Sequence, residues 1–340
     1  MTPGIGILRD HQTTGGDNFA RVVRFAFDDV RGSGRLAHDL ELTEEQADGL
    51  PQGTRESVEA AFRRLDARGV LAVIGPGISD NGIIVRDLAD DVRLPCINWT
   101  GGDVTRGEWM FHYQLGSLEE EPAFLALHLA ARGHRRIALV HDDSLVGRRY
   151  VEFFDDAAAR FGLDVVLLTD STHDVRRLRA ANPDAILYLG LWFAARELGV
   201  ALAASDWRPP VFSNSALMYG HASPDWRREW DGWSYVDAYS DHNPILQDVR
   251  ARLGDDAMAP VTVAAAYDMG RLVAEGVGAA PAPTRESVHE GLERIKWMPA
   301  ALGAPGTIMG FGRWDRGALK GRYLVLRSWR DGASIDVDGS

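Results

Sequence analysis

The sequence predicts an α/β protein of two lobes, each a mostly parallel sheet covered by helices. Three observations carry this. Short apolar runs (LAVIG at 71–75, LPCIN at 94–98, RRIALV at 135–140) are each followed by a small or polar turn and then by residues with helical spacing. Such alternation implies parallel strands joined by crossover helices. The small, polar and helix-capping residues sit at the carboxyl ends of these strands, where open α/β sheets bind ligands. At 340 residues of ordinary composition, the chain is long enough for two full cores.

The elements follow in order. Strands are expected at 5–8, 71–74, 96–99, 137–140, 165–168, 185–189 and 211–213, each a brief apolar run between turn residues. Residues 19–30 place apolar side chains at 19, 22, 23, 26, 27 and 30, one face of a helix. Helical spacing recurs at 57–68, 81–91, 121–132, 148–161 and 194–205. The stretch 32–53 is more polar, and a second strand is expected near 36–41. The Ala/Pro/Gly-rich run 276–287 reads as a loop between helices at 261–276 and 285–296, with Thr284 or Ser287 near the second cap. Residues 301–340 change character, with Gly-rich turns and alternating apolar residues that predict two or three partly antiparallel strands. Trp314, Tyr323 and Trp329 are expected to pack those strands, and Arg313, Arg316, Lys320 and Arg322 to form a solvated face.

A formal net charge of −12 argues against nucleic acid and an anionic membrane surface as partners. No run is long enough to span a bilayer as a helix, so no membrane insertion is expected. The single cysteine, Cys96, lies in an apolar run and reads as a small buried hydrophobe. Dinucleotide, P-loop, HExxH and GxSxG motifs are absent. His134 and His141 flank one strand without a second cluster of metal ligands. Asp142 and Asp143 are adjacent and would point to opposite sides of an extended chain. The expectation is a binding protein, not an enzyme, with no cofactor and no metal.

Several segments together carry a family resemblance. GILRDHQTTGGDNFARVVRFAFDDV looks like an opening strand, ligand loop and long helix, and VIGPGISDNG and LPCINWTGGD like two ligand turns. RRIALVHDDSLVGRRYVEFF looks like the strand and helix that open a second lobe, and AAAYDMGRLVAEGV like a helix near the return crossing. In this order and spacing the chain resembles the type I periplasmic binding protein fold, in its branched-chain amino-acid (Leu/Ile/Val) binding branch. The resemblance implies two Rossmann-like lobes joined by a three-stranded hinge: residues 1–116 plus 241–300, and 117–240 plus 301–340. Ligand would be trapped in the interlobe cleft by hinge closure.

The resemblance also implies the site. Ser79 would offer a hydroxyl, with the N–H groups that open the next helix, to a ligand carboxylate; Asp80 beside it would repel that carboxylate. Either residue also reads as a simple helix cap. From the second turn, Asn98, Trp99 and Thr100 would border the ligand, with Thr100 in the hydroxyl role and Trp99 as cleft wall or core. In the second lobe Asp143 and Ser144 follow a strand, and Val146 stands where relatives often carry an aromatic ring. Trp192 matches a commonly aromatic position and would stack on the ligand. Ser215 stands where amino-acid binders carry an acidic residue for the ligand ammonium, which disfavours an ordinary α-amino acid, because a buried ammonium without a counter-charge is costly. Asp237 or Asp241 would be the compensating groups, with Tyr235 and Tyr239 nearby. From the first loop, His11 and Gln12 would reach polar ligand groups.

The expected function is therefore a solute-binding protein of an ABC-type importer, taking an amino-acid-like molecule, an amide, or an aromatic or aliphatic acid. The alternative is a cytoplasmic ligand sensor on the same scaffold. The partners are a small molecule and either a membrane permease or a regulatory protein. A removed signal segment implies the periplasm or cell envelope; Met1 as native start implies the cytoplasm.

Overall fold

The computed structural model describes residues 2–10, 16–254 and 258–337, which form two compact units. One comprises residues 1–115 and 242–323, the other 116–241 and 324–340, so the chain passes between them three times.

The first unit opens with β1 (Gly4–Arg9), α1 (Gly16–Gly32), β2 (Glu41–Gln46), α2 (Arg55–Ala67), β3 (Ala72–Ile74), α3 (Ser79–Val92), β4 (Cys96–Asn98) and β5 (Met110–His112). These strands make one parallel sheet in the order β2-β1-β3-β4-β5. The second unit holds α4 (Glu121–Ala131), β6 (Arg136–His141), α5 (Leu145–Phe161), β7 (Asp164–Thr169), α6 (Val175–Ala180), β8 (Ala185–Leu189), α7 (Trp192–Ala203), β9 (Val211–Ser213) and β10 (Ser234–Asp237). The chain returns to the first unit for α8 (Pro244–Leu253), α9 (Pro260–Gly278), α10 (Arg285–Arg294) and the short antiparallel strands β11 (Met298–Pro299), β12 (Ile308–Met309) and β13 (Leu319–Lys320). It ends in the second unit with β14 (Val325–Arg330) and β15 (Ala333–Asp336). That sheet runs β15-β14-β10-β9-β8-β6-β7, with parallel pairings except those made by β14 and β15.

The local reasons are legible. Thr54, Ser144, Asp174, Asn243 and Thr284 each cap a helix by accepting a backbone N–H. α9 is buried along most of its length, and its small residues let it lie close to α1: a Cβ on Gly270 would sit 2.8 Å from that of Ala26. In the first unit Val58, Phe62 and Leu65 of α2 pack with Val73, Val85, Cys96 and Met110. Burial there pushes the Cys96 thiol far above its ordinary range. In the second unit Leu198, Leu202, Trp230, Trp233, Tyr235 and Trp329 share one core.

Several expectations change. The second strand lies at Glu41–Gln46 rather than 36–41. Its sequence, ELTEEQ, is polar because it is an edge strand held by charge: Glu44 pairs with Arg9, and Glu45 with Arg64 and Arg68. Residues 301–323, expected in the second lobe, pack with the first unit. The Asp268 carboxylate of α9 accepts the Ala301 and Leu302 N–H groups and the Tyr113 hydroxyl. The Asn243 amide donates to the carbonyls of Ala300, Leu302 and Gly303. Arg316 is not part of a solvated face; it is buried against Glu293 and the Phe111 ring. Trp314, expected to pack, is 89% exposed, whereas Tyr323 and Trp329 are buried.

Asp268→Ala would leave two buried backbone N–H groups and one hydroxyl without acceptors. At about 1–3 kcal/mol for each buried polar group left unpaired, the expected loss is about 3 kcal/mol or more. The check is a lowered urea midpoint, and an unchanged midpoint would contradict it.

Candidate functional site

In each unit the strand-end turns are organised by a buried carboxylate. In the first unit this is Asp10, one residue past β1 and 1% exposed. Its Oδ1 accepts Gly77 N–H at 2.9 Å and its Oδ2 accepts Ile78 N–H at 2.8 Å. Asn81 Nδ2 donates to Oδ2 at 2.9 Å, while Asn81 Oδ1 accepts Leu50 N–H. The cap position of α3 is Ile78, which has no side-chain oxygen, so Asp10 does from a distance what a local cap would do. Gly75 makes the turn possible: its φ is +113°, and a Cβ there would lie 2.3 Å from the Leu8 carbonyl oxygen.

Ser79 is therefore not a cap. It is the first residue of α3, half-buried, with its hydroxyl 3.4 Å from where a Gly102 Cβ would be. This places it beside the turn after β4. Asp80 follows, exposed, in the first turn of α3. Part of the expected anion seat is already taken, because Asp10 occupies the Gly77 and Ile78 N–H groups. Trp99, half-buried at the end of β4, lies with its ring 5.2 Å from that of Phe19.

Asn98 and Thr100 do not match their expected roles. Both are fully buried. The Thr100 hydroxyl donates to Asn98 Oδ1 at 2.9 Å and lies 3.0 Å from Thr105 Oγ1. The Thr100 carbonyl oxygen is 2.8 Å from His112 Nε2 and also accepts Leu115 N–H. Asn98 Nδ2 donates to the Phe111 carbonyl. Burial lowers the His112 pKa to about 4, so the ring is neutral; Arg106 Nε donates to Nδ1, which leaves Nε2 as the protonated nitrogen that donates to the Thr100 carbonyl. A hydroxyl held on several sides by its own unit serves the turn rather than a ligand.

In the second unit the corresponding carboxylate is Asp142, 5% exposed, directly after β6. Its Oδ1 takes the Ser144 N–H and hydroxyl, and its Oδ2 takes the Leu191 N–H. A Cβ on Gly190 would lie 2.6 Å from Asp142 Oδ2, so glycine is required for the approach. Ser144 also accepts Gly147 N–H and is the cap of α5. These three Ser144 contacts are all internal, contrary to its expected ligand role. Asp143 is exposed and ion-paired with Arg148.

Trp192 opens α7 and belongs to an aromatic cluster. Its ring stacks on Tyr219 at 4.4 Å and 8°, and lies 4.8 Å from Trp226. Arg196 sits 5.0 Å above Trp226 and is held by Glu229. Phe193 is 46% and Tyr219 41% exposed, so the cluster presents aromatic surface where the sequence assigned one ring. One face of Trp192 is already occupied by Tyr219.

Ser215 begins the 3₁₀ turn after β9, half-buried. Its backbone N–H donates to Glu121 Oε2 at 2.8 Å. The sequence reading missed Glu121, because it stands in a run of three glutamates that looks like a solvated helix start; only its place directly before Pro122 sets it apart. Asp237 and Asp241, named as compensating charges, are used elsewhere: Asp237 by His221 and Tyr235, Asp241 by the buried Arg327. Tyr235 and Tyr239 are buried, the latter under Arg327. Val146 is 38% exposed. His11 and Gln12 lie outside the described residues. Among the described residues no group of three His, Cys, Asp or Glu side chains is placed to hold a metal, and no helix is long and apolar enough to cross a membrane.

Comparison with known proteins bears on the fold and the family. A family model described as "Periplasmic binding protein" matches residues 5–324. No curated protein matches the chain. Among solved structures, an ABC transporter substrate-binding protein from Desulfitobacterium hafniense in complex with Leu is 20% identical with a TM-score of 0.82, covering 99% of this chain and 100% of that one. A putative branched-chain amino acid ABC transporter protein from Rhodospirillum rubrum is 18% identical with a TM-score of 0.75, at the same coverage. A leucine-binding protein from Thermotoga maritima is 16% identical with a TM-score of 0.74, covering 99% and 98%. At these identities the likeness is one of fold.

Asp10→Asn would turn an amide NH₂ toward N–H donors that the carboxylate now accepts. The expected result is a loss of about 1–3 kcal/mol, read as a lower melting temperature. A variant as stable as the parent would remove Asp10 from its place as organiser of the turn.

Proposed function

We propose a function on the premise that the chain belongs to the periplasmic binding protein family, a family of binding proteins rather than enzymes. In this reading it is the solute-binding protein of an ABC-type importer, and its partners are a small organic molecule and a membrane permease. The ligand is amino-acid-like, an amide, or an aromatic or aliphatic acid. The observation that carries the proposal is the pair of preorganised strand-end surfaces, one per unit, each held by a buried aspartate at the carboxyl end of a parallel sheet. Ser79 and Trp99 are the ligand-facing groups of the first, and Ser215 with the Trp192–Tyr219 stack those of the second. Asn98, Thr100 and Ser144 support these turns from behind.

The D. hafniense protein carries Leu and the T. maritima protein is described as leucine-binding, which supports the amino-acid-like end of the range. The aromatic cluster supports an apolar or aromatic side chain on that molecule.

A thermal-shift screen of amino acids, amides, aromatic acids and short-chain carboxylates is expected to raise the melting temperature with at least one class. Ser79→Ala and Trp192→Ala should each weaken that ligand about 10- to 100-fold by calorimetry, the worth of one charge-assisted hydrogen bond or one ring contact. Thr100→Val should lower stability more than affinity. No response across the panel, or full affinity in both variants, would overturn the proposal.

A further inference from the structure

Glu121 is the first residue of α4, and none of its surface is exposed, while Glu120 beside it faces solvent. Oε1 accepts Ser117 N–H at 2.7 Å. Oε2 accepts Ser215 N–H at 2.8 Å and the Tyr150 hydroxyl at 3.2 Å. Gly116 has φ +81°, and a Cβ there would lie 2.8 Å from Glu121 Oε1 and 3.2 Å from Ser215 Oγ. One carboxylate thus joins three pieces of the second unit: the segment by which the chain enters it, helix α5, and the turn after β9. These three donors are neutral. A buried carboxylate held only by neutral donors is costly, and the same joint made with a glutamine would offer one acceptor oxygen and a mismatched NH₂. The sequence retains a charge at the place where Ser215 supplies none.

We propose that Glu121 is the positioning and charge-setting residue of the second unit's binding turn. Its carboxylate holds the Ser215 amide and supplies, one layer behind the surface, the negative charge that the turn itself lacks, so the turn favours a ligand bearing an ammonium or strong donor group. This rests on the reading of the strand-end turns as ligand surface. It revises the expectation against an α-amino acid, which weighed Ser215 and, as compensating charges, Asp237 and Asp241, but not Glu121. Burial raises the Glu121 pKa to about 7, with the amides of Ser117 and Ser215 opposing that rise. The groups facing it are Ser117 from the entry segment, Tyr150 from α5, and Asn214 and Ser215 from the β9 turn. Burial pushes Tyr150 upward, so it stays neutral across the range and Glu121 is the titrating member.

The charge then has a pH sense. Above the Glu121 pKa the turn is backed by an anion and an ammonium is favoured; below it that preference is lost. The test uses ¹⁵N-labelled full-length protein, titrated from pH 5 to 9. The Ser117 and Ser215 amide resonances are expected to move together with a shared midpoint near 7 in the parent and to stay flat in Glu121→Gln. Flat resonances in the parent overturn the proposal, and this readout needs neither a ligand nor a folded variant. A second arm compares leucine with 4-methylpentanoate, which differ only by the ammonium. A preference for leucine of about tenfold or more, growing as pH rises through the amide midpoint and absent in Glu121→Gln, is the expected result for a buried charge acting through space across the turn. A pH-independent preference overturns the charge-setting role. Binding of neither probe counts against the ligand surface itself, while the amide titration still decides Glu121.

Discussion

The structure depends on a repeated interaction: a buried carboxylate that collects the backbone N–H groups of neighbouring turns. Asp10 does this for the turn after β3, Asp142 for the turns after β6 and β8, Asp268 for the segment following β11, and Glu121 for the turn after β9. Each case has the same logic. Strand-end loops carry N–H groups that neither strand nor helix satisfies, and an unpaired buried N–H costs about as much as a lost hydrogen bond. A carboxylate offers several lone pairs on one side chain and holds several donors at once, with charge-assisted bonds. These bonds, made wholly within the protein, restrict each turn to one conformation.

That rigidity matters for a binding protein. Ordering a loop on binding subtracts from affinity, so turns fixed in advance leave more of the contact energy for the ligand. The residues of these turns fall into two kinds. Asp10, Asn98, Thr100, Asp142 and Ser144 shape the turns from within, and Ser79, Trp99, Ser215 and the Trp192–Tyr219 stack occupy the half-exposed positions around them. The glycines at 75 and 190 belong to the first group, because any side chain there would collide with the strand end or with the organising carboxylate.

The hydrophobic strands were legible because buried parallel strands read as short apolar runs: Ala185–Leu189 and Val211–Ser213 lie where the pattern places them. The edge strand Glu41–Gln46 escaped the pattern, because it is held by its backbone ladder to β1 and carries glutamates paired with Arg9, Arg64 and Arg68 where apolar alternation would be read. The family resemblance implies the second lobe for residues 301–323, whereas they pack with the first unit. Their actual unit is set by the Asp268 and Asn243 side chains, more than thirty residues away in sequence.

By itself, then, the sequence determined the α/β class, the alternation of strands and helices, and the turns that carry polar chemistry, since these follow from local periodicity and turn residues. Only the tertiary structure decided which polar residue in each turn faces inward. Thr100 and Ser79 are both hydroxyls after apolar strands, yet one is enclosed by Asn98, Thr105 and His112 and the other stays half-exposed at the start of a helix. Likewise three adjacent glutamates look alike in sequence, and only the fold buries Glu121. The physical reason is that hydrogen-bond satisfaction is settled by partners distant along the chain, which no local pattern records.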